Sequence, residues 1–328
     1  MRAVVFGGSG FIGKHLVPSL VSKGYDVTVA DLQPGEPGEG AQFVECDVRK
    51  PIPFDIAEPP LEVYNLAAVH RVPGHKDHEY FEANVAGAEN VAGYCQSVGV
   101  QKLCFTSSIS VYGPSEHPLG ENSPTAPVSA YGRSKLEAEG IYRQWALDRS
   151  DRRLVIARPA VIFGPWELGN FSLLARALTR RTFIYPGRTD TIKACSYVGE
   201  LIRSFEFALG LDRRVFLYNL CYPHPYSIRE ICETFHQEWG LPLPMFTAPG
   251  GPMLAAAWFF EKLESVLGTR TGIGRTRVRK LMESTHIVPG ALVKEGYEFE
   301  TDLAEGLRRW RQRDPASSVT RAMDESRA

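Results

Sequence analysis

Tyr131 and Lys135 are spaced so that they could act together in chemistry. They stand four residues apart within Ser129–Leu147, whose pattern predicts a helix, so both side chains are expected on one helix face. An ammonium group beside a phenol favours the phenolate and lowers the phenol pKa from about 10 toward neutral pH. Such a phenol can exchange a proton with an alcohol or ketone while a hydride moves. Because ordinary amphipathic helices share this spacing, the interpretation depends on the neighbouring segments.

Hydroxyl side chains at Thr106, Ser107 and Ser108 come just before that helix in the chain. Thr106 and Ser107 are the last residues of Lys102–Ser107, a short apolar segment whose pattern predicts a strand, and Ser108 follows it. The carboxyl ends of parallel strands meet at the edge of a sheet where ligands bind. These hydroxyls are therefore expected at the same edge as a reacting alcohol.

A strand–turn–helix pattern opens the sequence, with glycines at Gly7, Gly10 and Gly13 between the predicted strand Ala3–Phe6 and the predicted helix Phe11–Ser22. The first glycine permits the tight turn, the second lets the backbone approach a pyrophosphate, and the third lets helix and strand pack closely. A helix N-terminus also attracts phosphate. The pattern predicts a bound dinucleotide.

Asp31 follows the second predicted strand, Asp26–Ala30. A carboxylate at this position accepts hydrogen bonds from ribose hydroxyls and repels a 2′-phosphate. Leu32 and Gln33 bring no positive charge, so the sequence favours NAD over NADP. Asp47-Val48 follows the third predicted strand, Gln42–Glu45, and is expected near the adenine.

Strands and helices alternate through the first half of the chain, which predicts right-handed crossovers and a parallel sheet covered on both faces. We therefore predict an α/β fold of the Rossmann type, doubly wound, with a smaller C-terminal substrate-binding domain. The remaining predicted elements are strands Glu62–Leu66 and Leu154–Arg158 and helices His78–Ser97, Asn170–Thr179, Ser196–Leu209 and Ser227–Trp239. The expected divisions are an NAD-binding domain over 1–163, to which part of the later chain returns, a substrate domain over 164–314, and a disordered tail over 315–328.

Composition excludes several classes of protein. A net charge of −1 gives no basic field for holding a nucleic acid. No apolar run is long enough for a membrane span, and the opening residues lack a secretory signal, so a cytoplasmic protein is expected. The six cysteines form no CxxC pair and are expected to be reduced and buried. His70, His75 and His78 match no zinc spacing, and no metal is expected.

At this point the chain is identified as resembling an extended short-chain dehydrogenase/reductase of the NAD-dependent epimerase/dehydratase family. The matching motifs occur in family order and cover nearly the whole chain: GGSGFIG at 7–13, Asp31, Asp47-Val48, NLAA at 65–68, ANVAGAENV at 83–91, TSSISVYG at 106–113, SAYGRSK at 129–135, RPAVIFGP at 158–165 and SYVGELI at 196–202.

The resemblance implies roles for particular residues. Ser108 would hydrogen-bond the reacting oxygen, Tyr131 would transfer the proton, and Lys135 would lower the phenol pKa and hold the nicotinamide ribose. Ser107 is the neighbouring candidate and is expected to brace the loop. The residues implied on the cofactor side are Gly7, Gly10, Phe11, Ile12, Gly13, Asp31, Leu32, Asp47, Val48, Leu66, Ala67, Ala68, His70, Asn84, Ser107, Tyr131, Lys135, Pro159 and Val161.

Departures from particular subfamilies narrow the implied reaction. Sugar 4,6-dehydratases of this family carry an Asp-Glu pair where this chain has Ile109-Ser110, which cannot perform that acid–base work. The glutamate of the related decarboxylases is also absent. The resemblance then implies chemistry at one carbinol, as in a C4 epimerase or a 4-keto reductase of nucleotide sugars.

On the substrate side, the resemblance implies contacts from Asn170, Lys193 and Arg277 to the diphosphate of a nucleotide sugar, most readily a UDP-sugar. It also implies a homodimer formed through the helices around Asn84 and Tyr131. Each of the three substrate-side residues could equally be an ordinary surface residue.

Two other functions stay open. The apolar segment 250–267 is similar to an insert in 3β-hydroxysteroid dehydrogenases of the same family, which keeps a lipid alcohol as a possible substrate. Within it, Leu254–Leu267 favours a core or lid helix over a membrane-surface helix, because it lacks a basic face. The third hypothesis is a non-catalytic NAD-sensing protein. Such proteins commonly lose the tyrosine or the lysine, whereas this chain has both Tyr131 and Lys135.

Overall fold

The computed structural model describes residues 1–35, 40–53, 62–70, 72, 74–267 and 275–314, with the backbone alone described for 260–267 and 277. The predicted tail over 315–328 lies outside the described residues.

The strands are β1 (Arg2–Phe6), β2 (Asp26–Asp31), β3 (Ala41–Glu45), β4 (Glu62–Asn65), β5 (Lys102–Thr106), β6 (Ser115–Leu119), β7 (Arg153–Pro159), β8 (Val161–Phe163), β9 (Tyr185–Pro186), β10 (Cys195–Tyr197), β11 (Val215–Leu220), β12 (Thr247–Ala248) and β13 (Thr285–Ile287). The helices are α1 (Gly13–Ser22), α2 (Asp77–Phe81), α3 (Gly87–Ser97), α4 (Ala130–Leu147), α5 (Asn170–Thr179), α6 (Val198–Gly210), α7 (Ile228–Trp239), α8 (Gly250–Leu267), α9 (Arg275–Met282), α10 (Gly290–Lys294) and α11 (Leu303–Arg313).

A seven-stranded sheet in the order β11-β7-β5-β4-β1-β2-β3 forms the centre of the molecule. Every neighbouring pair in it is parallel. The chain leaves β1 toward β2 and β3, then crosses back to β4 on the other side of β1. The carboxyl ends of β1 and β4 therefore flank the topological switch point, where ligands bind in open α/β sheets.

Helices cover both faces of this sheet, as the fold class requires. On one face α1 and α6 pack with Val5 and Tyr218 in an apolar cluster. On the other face α3 and α4 pack with Phe6 and Phe105. The inner strands β1, β4, β5 and β7 are nearly continuous runs of buried residues because both of their faces are covered, whereas the edge strand β3 is only partly buried.

The later part of the chain builds a third apolar cluster from α5, α7 and α11 around Phe163, Trp239 and Trp310. It also returns to the main sheet, because β11 pairs with β7 from Leu154 to Pro159. A domain division at residue 163 stays a prediction.

Two short pairings join the second half to the active-site edge. Strand β8 pairs with β10, and β6 pairs with β13. The loop after β5 contributes Ile109 and Tyr112 to an apolar cluster that includes Ile287. The segment after Ser108 is thus fixed against the C-terminal half.

All six cysteines are buried and free, as predicted. No helix within the described ranges is both long and apolar enough to cross a membrane.

Candidate active site

The glycine turn after β1 is built so closely that side chains would not fit at two of its positions. Gly7 has φ +74°, and a Cβ there would lie 2.6 Å from the Ala67 nitrogen. A Cβ at Gly13 would lie 2.1 Å from the Gly8 carbonyl oxygen. At Gly10, the nearest described atom to a Cβ is the Gly7 oxygen at 3.3 Å, so the backbone is open on that side. This open backbone fits the approach of a pyrophosphate.

The N-terminus of α1 completes this cradle. Ile12 occupies the N-cap position, and in the described structure no side chain caps the helix there. The first turn of α1 carries no acidic residue. Its backbone N–H groups and positive dipole end are suited to a phosphate. The residues present therefore fit the dinucleotide that the sequence predicts.

Asp31, at the end of β2, is held against the glycine turn. One carboxylate oxygen accepts a hydrogen bond from the Ser9 amide at 3.0 Å, and the other accepts one from the Leu32 amide at 2.7 Å. The Ser9 hydroxyl donates to the Gln33 carbonyl oxygen at 2.7 Å. These contacts fix the carboxylate beside the turn, where a ribose would lie. The Leu32 side chain is exposed.

The Asp47 carboxylate is paired with the side chain of Arg49, two residues further along the chain. The Arg49 guanidinium donates to both carboxylate oxygens, at 2.8 and 2.7 Å, and lowers the pKa of Asp47. The adjacent Val48 carbonyl oxygen accepts a hydrogen bond from the Asn90 side chain at 2.8 Å. The adenine contact of Asp47-Val48 stays a prediction.

Asn84 joins the loop after β4 to helix α4. Its side chain accepts from the Val69 amide at 3.0 Å and donates to the Val69 carbonyl oxygen at 3.1 Å and to Ser134 Oγ at 2.9 Å. Asn84 lies in a π-helical turn, Glu82–Ala86, where a single helix was predicted. Such turns often occur at functional sites because they redirect one side chain.

The remaining loop residues surround this anchor. Leu66, Ala67 and Ala68 lie between β4 and Val69, partly buried, and the Ala67 amide donates to Asn65 Oδ1 at 3.0 Å. His70 is exposed. Within the described residues, no three His, Cys, Asp or Glu side chains are grouped so that they could hold a metal.

Ser108 and Tyr131 meet at the carboxyl edge of the sheet. The Ser108 hydroxyl lies close enough to the Tyr131 hydroxyl to favour the phenolate, but burial has the larger effect and raises the pKa of Tyr131 to about 12. In the protein alone, Ser108 Oγ donates to Ser110 Oγ at 3.0 Å. Ser108 has extended backbone, and its Oγ accepts from the Ser110 amide at 3.1 Å. The hydroxyl and the phenol that the sequence predicted to cooperate are thus adjacent.

Lys135 lies one turn further along α4 and is 2% exposed. Burial lowers its pKa to about 7, against an opposing effect of Glu139, and its Nζ lies 4.6 Å from the centre of the Phe105 ring. The expected lowering of the Tyr131 pKa by Lys135 is not found in the protein alone. Burial, which disfavours charge on both groups, is the largest cause of both pKa shifts.

A buried ion pair lies beneath these residues. Glu139 accepts two hydrogen bonds from Arg158, at 2.8 and 2.6 Å, and one from Ser107 Oγ at 2.6 Å. Arg158 also donates to the Tyr112 hydroxyl at 2.7 Å, which in turn donates to Asn219 Oδ1 at 2.8 Å. Ser107 therefore braces the loop through Glu139.

Sequence reasoning missed this network. An arginine inside the apolar strand β7 and a glutamate on the core side of α4 were the available signals, because charges in such places are rarely buried unpaired.

The substrate-side residues lie on different elements of the second half. Asn170 is exposed at the start of α5. Lys193 is tied down, because its Nζ donates to the Lys280 and Glu283 carbonyl oxygens, both at 2.6 Å. Burial lowers the pKa of Lys193 to about 8. The side chain of Arg277 lies outside the described part of the structure, so its phosphate contact stays a prediction.

Pro159 and Val161 lie where the chain leaves the main sheet. Pro159 ends β7, and Val161 begins β8, with its amide donating to the Ala194 carbonyl oxygen at 3.2 Å. This junction is at the carboxyl edge of the sheet, like the Ser108 loop, and the nicotinamide contact predicted for it remains a prediction.

The fold is of the Rossmann type, and the adjacent hydroxyls of Ser108 and Tyr131 lie at its carboxyl edge. Residues 3–218 match the model of the NAD-dependent epimerase/dehydratase family. The chain belongs to that family, which confirms the expected extended short-chain dehydrogenase/reductase, its enzymatic nature and NAD as its cofactor.

Individual relatives agree with this membership. N-acetyl-α-D-glucosaminyl-diphospho-ditrans,octacis-undecaprenol 4-epimerase of Escherichia coli O157:H7 is 27% identical, over 94% of this chain and 93% of that protein. UDP-glucose 4-epimerase of Mycolicibacterium smegmatis is 31% identical over 64% of this chain and 74% of that protein. The solved structure of MoeE5 in complex with UDP-glucuronic acid and NAD has a TM-score of 0.74 and 25% identity, and it covers 96% of this chain and 100% of that one.

Proposed function

We propose that this enzyme inverts C4 of a sugar carried on a diphosphate, with a UDP-sugar as the first substrate to consider. The observation that carries the proposal is the adjacency of the Ser108 and Tyr131 hydroxyls, with Lys135 one turn further along α4 and Ile109-Ser110 in place of the acids that a dehydratase needs. Hydroxyl chemistry at a single carbinol requires no further acid or base. The two 4-epimerase relatives support the same assignment.

In this account Tyr131 transfers the proton. Its phenolate oxygen accepts the proton of the sugar C4 hydroxyl as the C4 carbonyl forms, and its hydroxyl returns that proton when the carbonyl is reduced. Ser108 donates a hydrogen bond to the same sugar oxygen while negative charge develops there. Lys135, when protonated, favours the phenolate. Bound NAD supplies a reversible hydride acceptor.

The proposal extends to two kinds of carrier, since a nucleotide and a polyprenol both present the sugar on a diphosphate. One relative acts on a polyprenol-linked sugar, and the neighbouring structure contains a UDP-sugar. Asn170 and Arg277 are the proposed diphosphate contacts. Lys193 is proposed to act through its hold on the end of α9 (Arg275–Met282) as well as by its charge. A homodimer and a cytoplasmic location belong to the same proposal.

The experiment is incubation of the purified protein with UDP-, GDP- and dTDP-sugars, with the products identified by NMR. We expect a C4-inverted sugar with no net change of NAD. A 4-keto reductase would instead consume NADH in step with product. If no sugar is converted and a 3β-hydroxysteroid reduces NAD, the proposal is wrong and the lipid-alcohol alternative takes its place.

A further inference from the structure

A group of large apolar side chains lies exposed on the second half of the molecule. Phe246 is 65% exposed, Phe259 61% and Trp258 47%. Among the described side chains of α8, Ala257 alone is buried, so this part of the helix does not lie in a core. We call the following residues the apolar surface: Ile184, Leu243, Met245, Phe246, Trp258, Phe259 and Leu281.

Backbone pairing and helix packing bring the segments that carry these side chains together. The Tyr185 amide donates to the Phe246 carbonyl oxygen at 3.1 Å, and β9 pairs with β12. Helices α8 and α9 pack against each other. The Met282 methyl group lies against both Gly187 and Gly250, which joins the end of α9 to the start of α8.

Cations border the apolar surface. Segments 179–184 and 275–282 contain six Lys and Arg residues and no Asp or Glu, although the chain as a whole has a net charge of −1. Arg180, Arg181, Arg275, Arg279 and Lys280 are exposed. The basic face that α8 lacks in the sequence is therefore provided by α9 and by the end of α5.

The same surface adjoins the candidate active site. Lys280 Nζ donates to the Val72 carbonyl oxygen at 3.1 Å, in the loop that Asn84 anchors. After α9 the chain enters β13, which pairs with β6, the strand that follows the Ser108 turn. The end of α9 is thus connected, through β13 and β6, to the segment that follows the Ser108 turn.

We propose that the apolar surface and its cations dock this enzyme onto an anionic lipid bilayer. Aromatic and aliphatic side chains enter the boundary between headgroups and acyl chains, while Lys and Arg beside them pair with anionic headgroups. A second copy of the chain is a poorer occupant, because a two-fold interface through this surface would gather the cations of both copies around one contact, where they repel one another. Docking also places the sugar site next to the bilayer, where it reaches a sugar diphosphate on a lipid carrier; this last consequence rests on the proposed function.

The test is sedimentation of the full-length protein with two kinds of vesicle, one entirely of phosphatidylcholine and one containing about a quarter phosphatidylglycerol. We expect binding to the anionic vesicles that weakens with added salt, since headgroup pairing is screened by salt. The double variant Trp258→Ser/Phe259→Ser should reduce vesicle binding at least about tenfold, because it lacks the two aromatic side chains whose transfer from water into the bilayer favours binding. The matched control is Leu147→Ser, because Leu147 is also exposed (58%) but lies at the end of α4. This variant should bind the vesicles as well as the unchanged protein does.

Each outcome of these experiments either supports or overturns the docking proposal. Failure of the unchanged protein to bind anionic vesicles, or undiminished binding by the double variant, overturns the proposal. The docking proposal is also overturned if the unchanged protein is a dimer by analytical ultracentrifugation and the double variant is a monomer, because the surface is then a contact between copies of the chain. Turnover of soluble UDP-sugars is followed in parallel. Its absence alongside intact vesicle binding rejects the proposed function alone, and its presence without vesicle binding rejects the docking surface alone.

Discussion

Tyr131 is neutral in the protein alone, because burial raises its pKa to about 12. Lys135 is itself pushed toward the neutral form, with a pKa of about 7. An i, i+4 pair on a surface helix would not behave in this way. The difference comes from the low-dielectric surroundings, which sequence spacing does not report.

Replacement of Tyr131 by Phe removes the proposed proton-transfer hydroxyl and leaves the ring in place. We expect turnover to fall by about two to four orders of magnitude, the usual contribution of a positioned acid–base group. NAD binding, measured by calorimetry, should be largely kept. Unchanged turnover in this variant contradicts the assignment.

Lys135→Met tests the burial of the ammonium group. The pKa of Lys135 is lowered from 10.5 unfolded to about 7 folded, so between these values the unfolded chain holds a proton that the folded chain lacks. The stability of the unchanged protein should therefore fall as pH is lowered from 10.5 to 7, and this contribution is absent in the variant.

The measurement is the difference in melting temperature between Lys135→Met and the unchanged protein. We expect the variant to gain relative stability as pH falls through that window. The exposed Lys50 gives the control Lys50→Met, for which no such trend is expected. A difference that stays constant with pH rejects the account.

Glu139→Gln tests the buried ion pair. The side chains of Glu139 and Arg158 are 3% and 5% exposed, so removing the carboxylate leaves a buried guanidinium without its counter-charge. A loss of about 3–5 kcal/mol in unfolding free energy is expected from such a change. Urea unfolding measures it, and Glu137→Gln, an exposed position on the same helix, should be nearly silent. Equal effects of the two variants would show that the pair contributes nothing particular.

At the scale of elements, the junction between β1 and α1 depends on glycine. Gly13→Ala places a Cβ against the Gly8 backbone and should displace α1, which weakens NAD binding and lowers the melting temperature. Gly140→Ala on α4 has no described atom within 4 Å of the new Cβ. It should stabilise the protein by up to about 1 kcal/mol through helix propensity. Equal NAD affinity in both variants speaks against the proposed cradle.

Long elements were predictable from the sequence, and short ones were not. Strands β1, β2 and β5 are apolar runs bounded by turn residues, so local pattern indicates them. Strands β9 and β12 have two residues each and exist because distant segments pair. The π-helical turn at Asn84 interrupts a segment whose periodicity predicted one helix.

In the candidate site, too, some residues could be predicted from the sequence and others could not. Gly7 and Asp31 were predicted from their types and places after strands, Tyr131 from its helical spacing to Lys135, and Ser108 from the family resemblance. The Arg158–Glu139 pair and the capping of α9 by Lys193 join residues far apart in sequence. Such partners follow from the tertiary fold, which local patterns do not encode.

At the scale of the whole molecule, the order of the sheet explains why the site lies where it does. The crossover from β3 to β4 brings the glycine turn and the Asn84 loop to one edge, and β5 adds the Ser108 loop beside them. The return of β11 and the pairing of β13 with β6 bring the second half to the same edge. The candidate proton-transfer residue Tyr131 and the glycine turn that fits a pyrophosphate thus lie at the same edge.

The most direct test of C4 inversion uses UDP-glucose labelled with deuterium at C4. If the enzyme oxidises and reduces the same carbon, the label leaves C4 and returns to its other face without exchange with water. We predict UDP-galactose that retains deuterium at C4, detected by NMR and mass spectrometry, with no net formation of NADH. Product that has lost the label, or inversion at another carbon, would contradict the account.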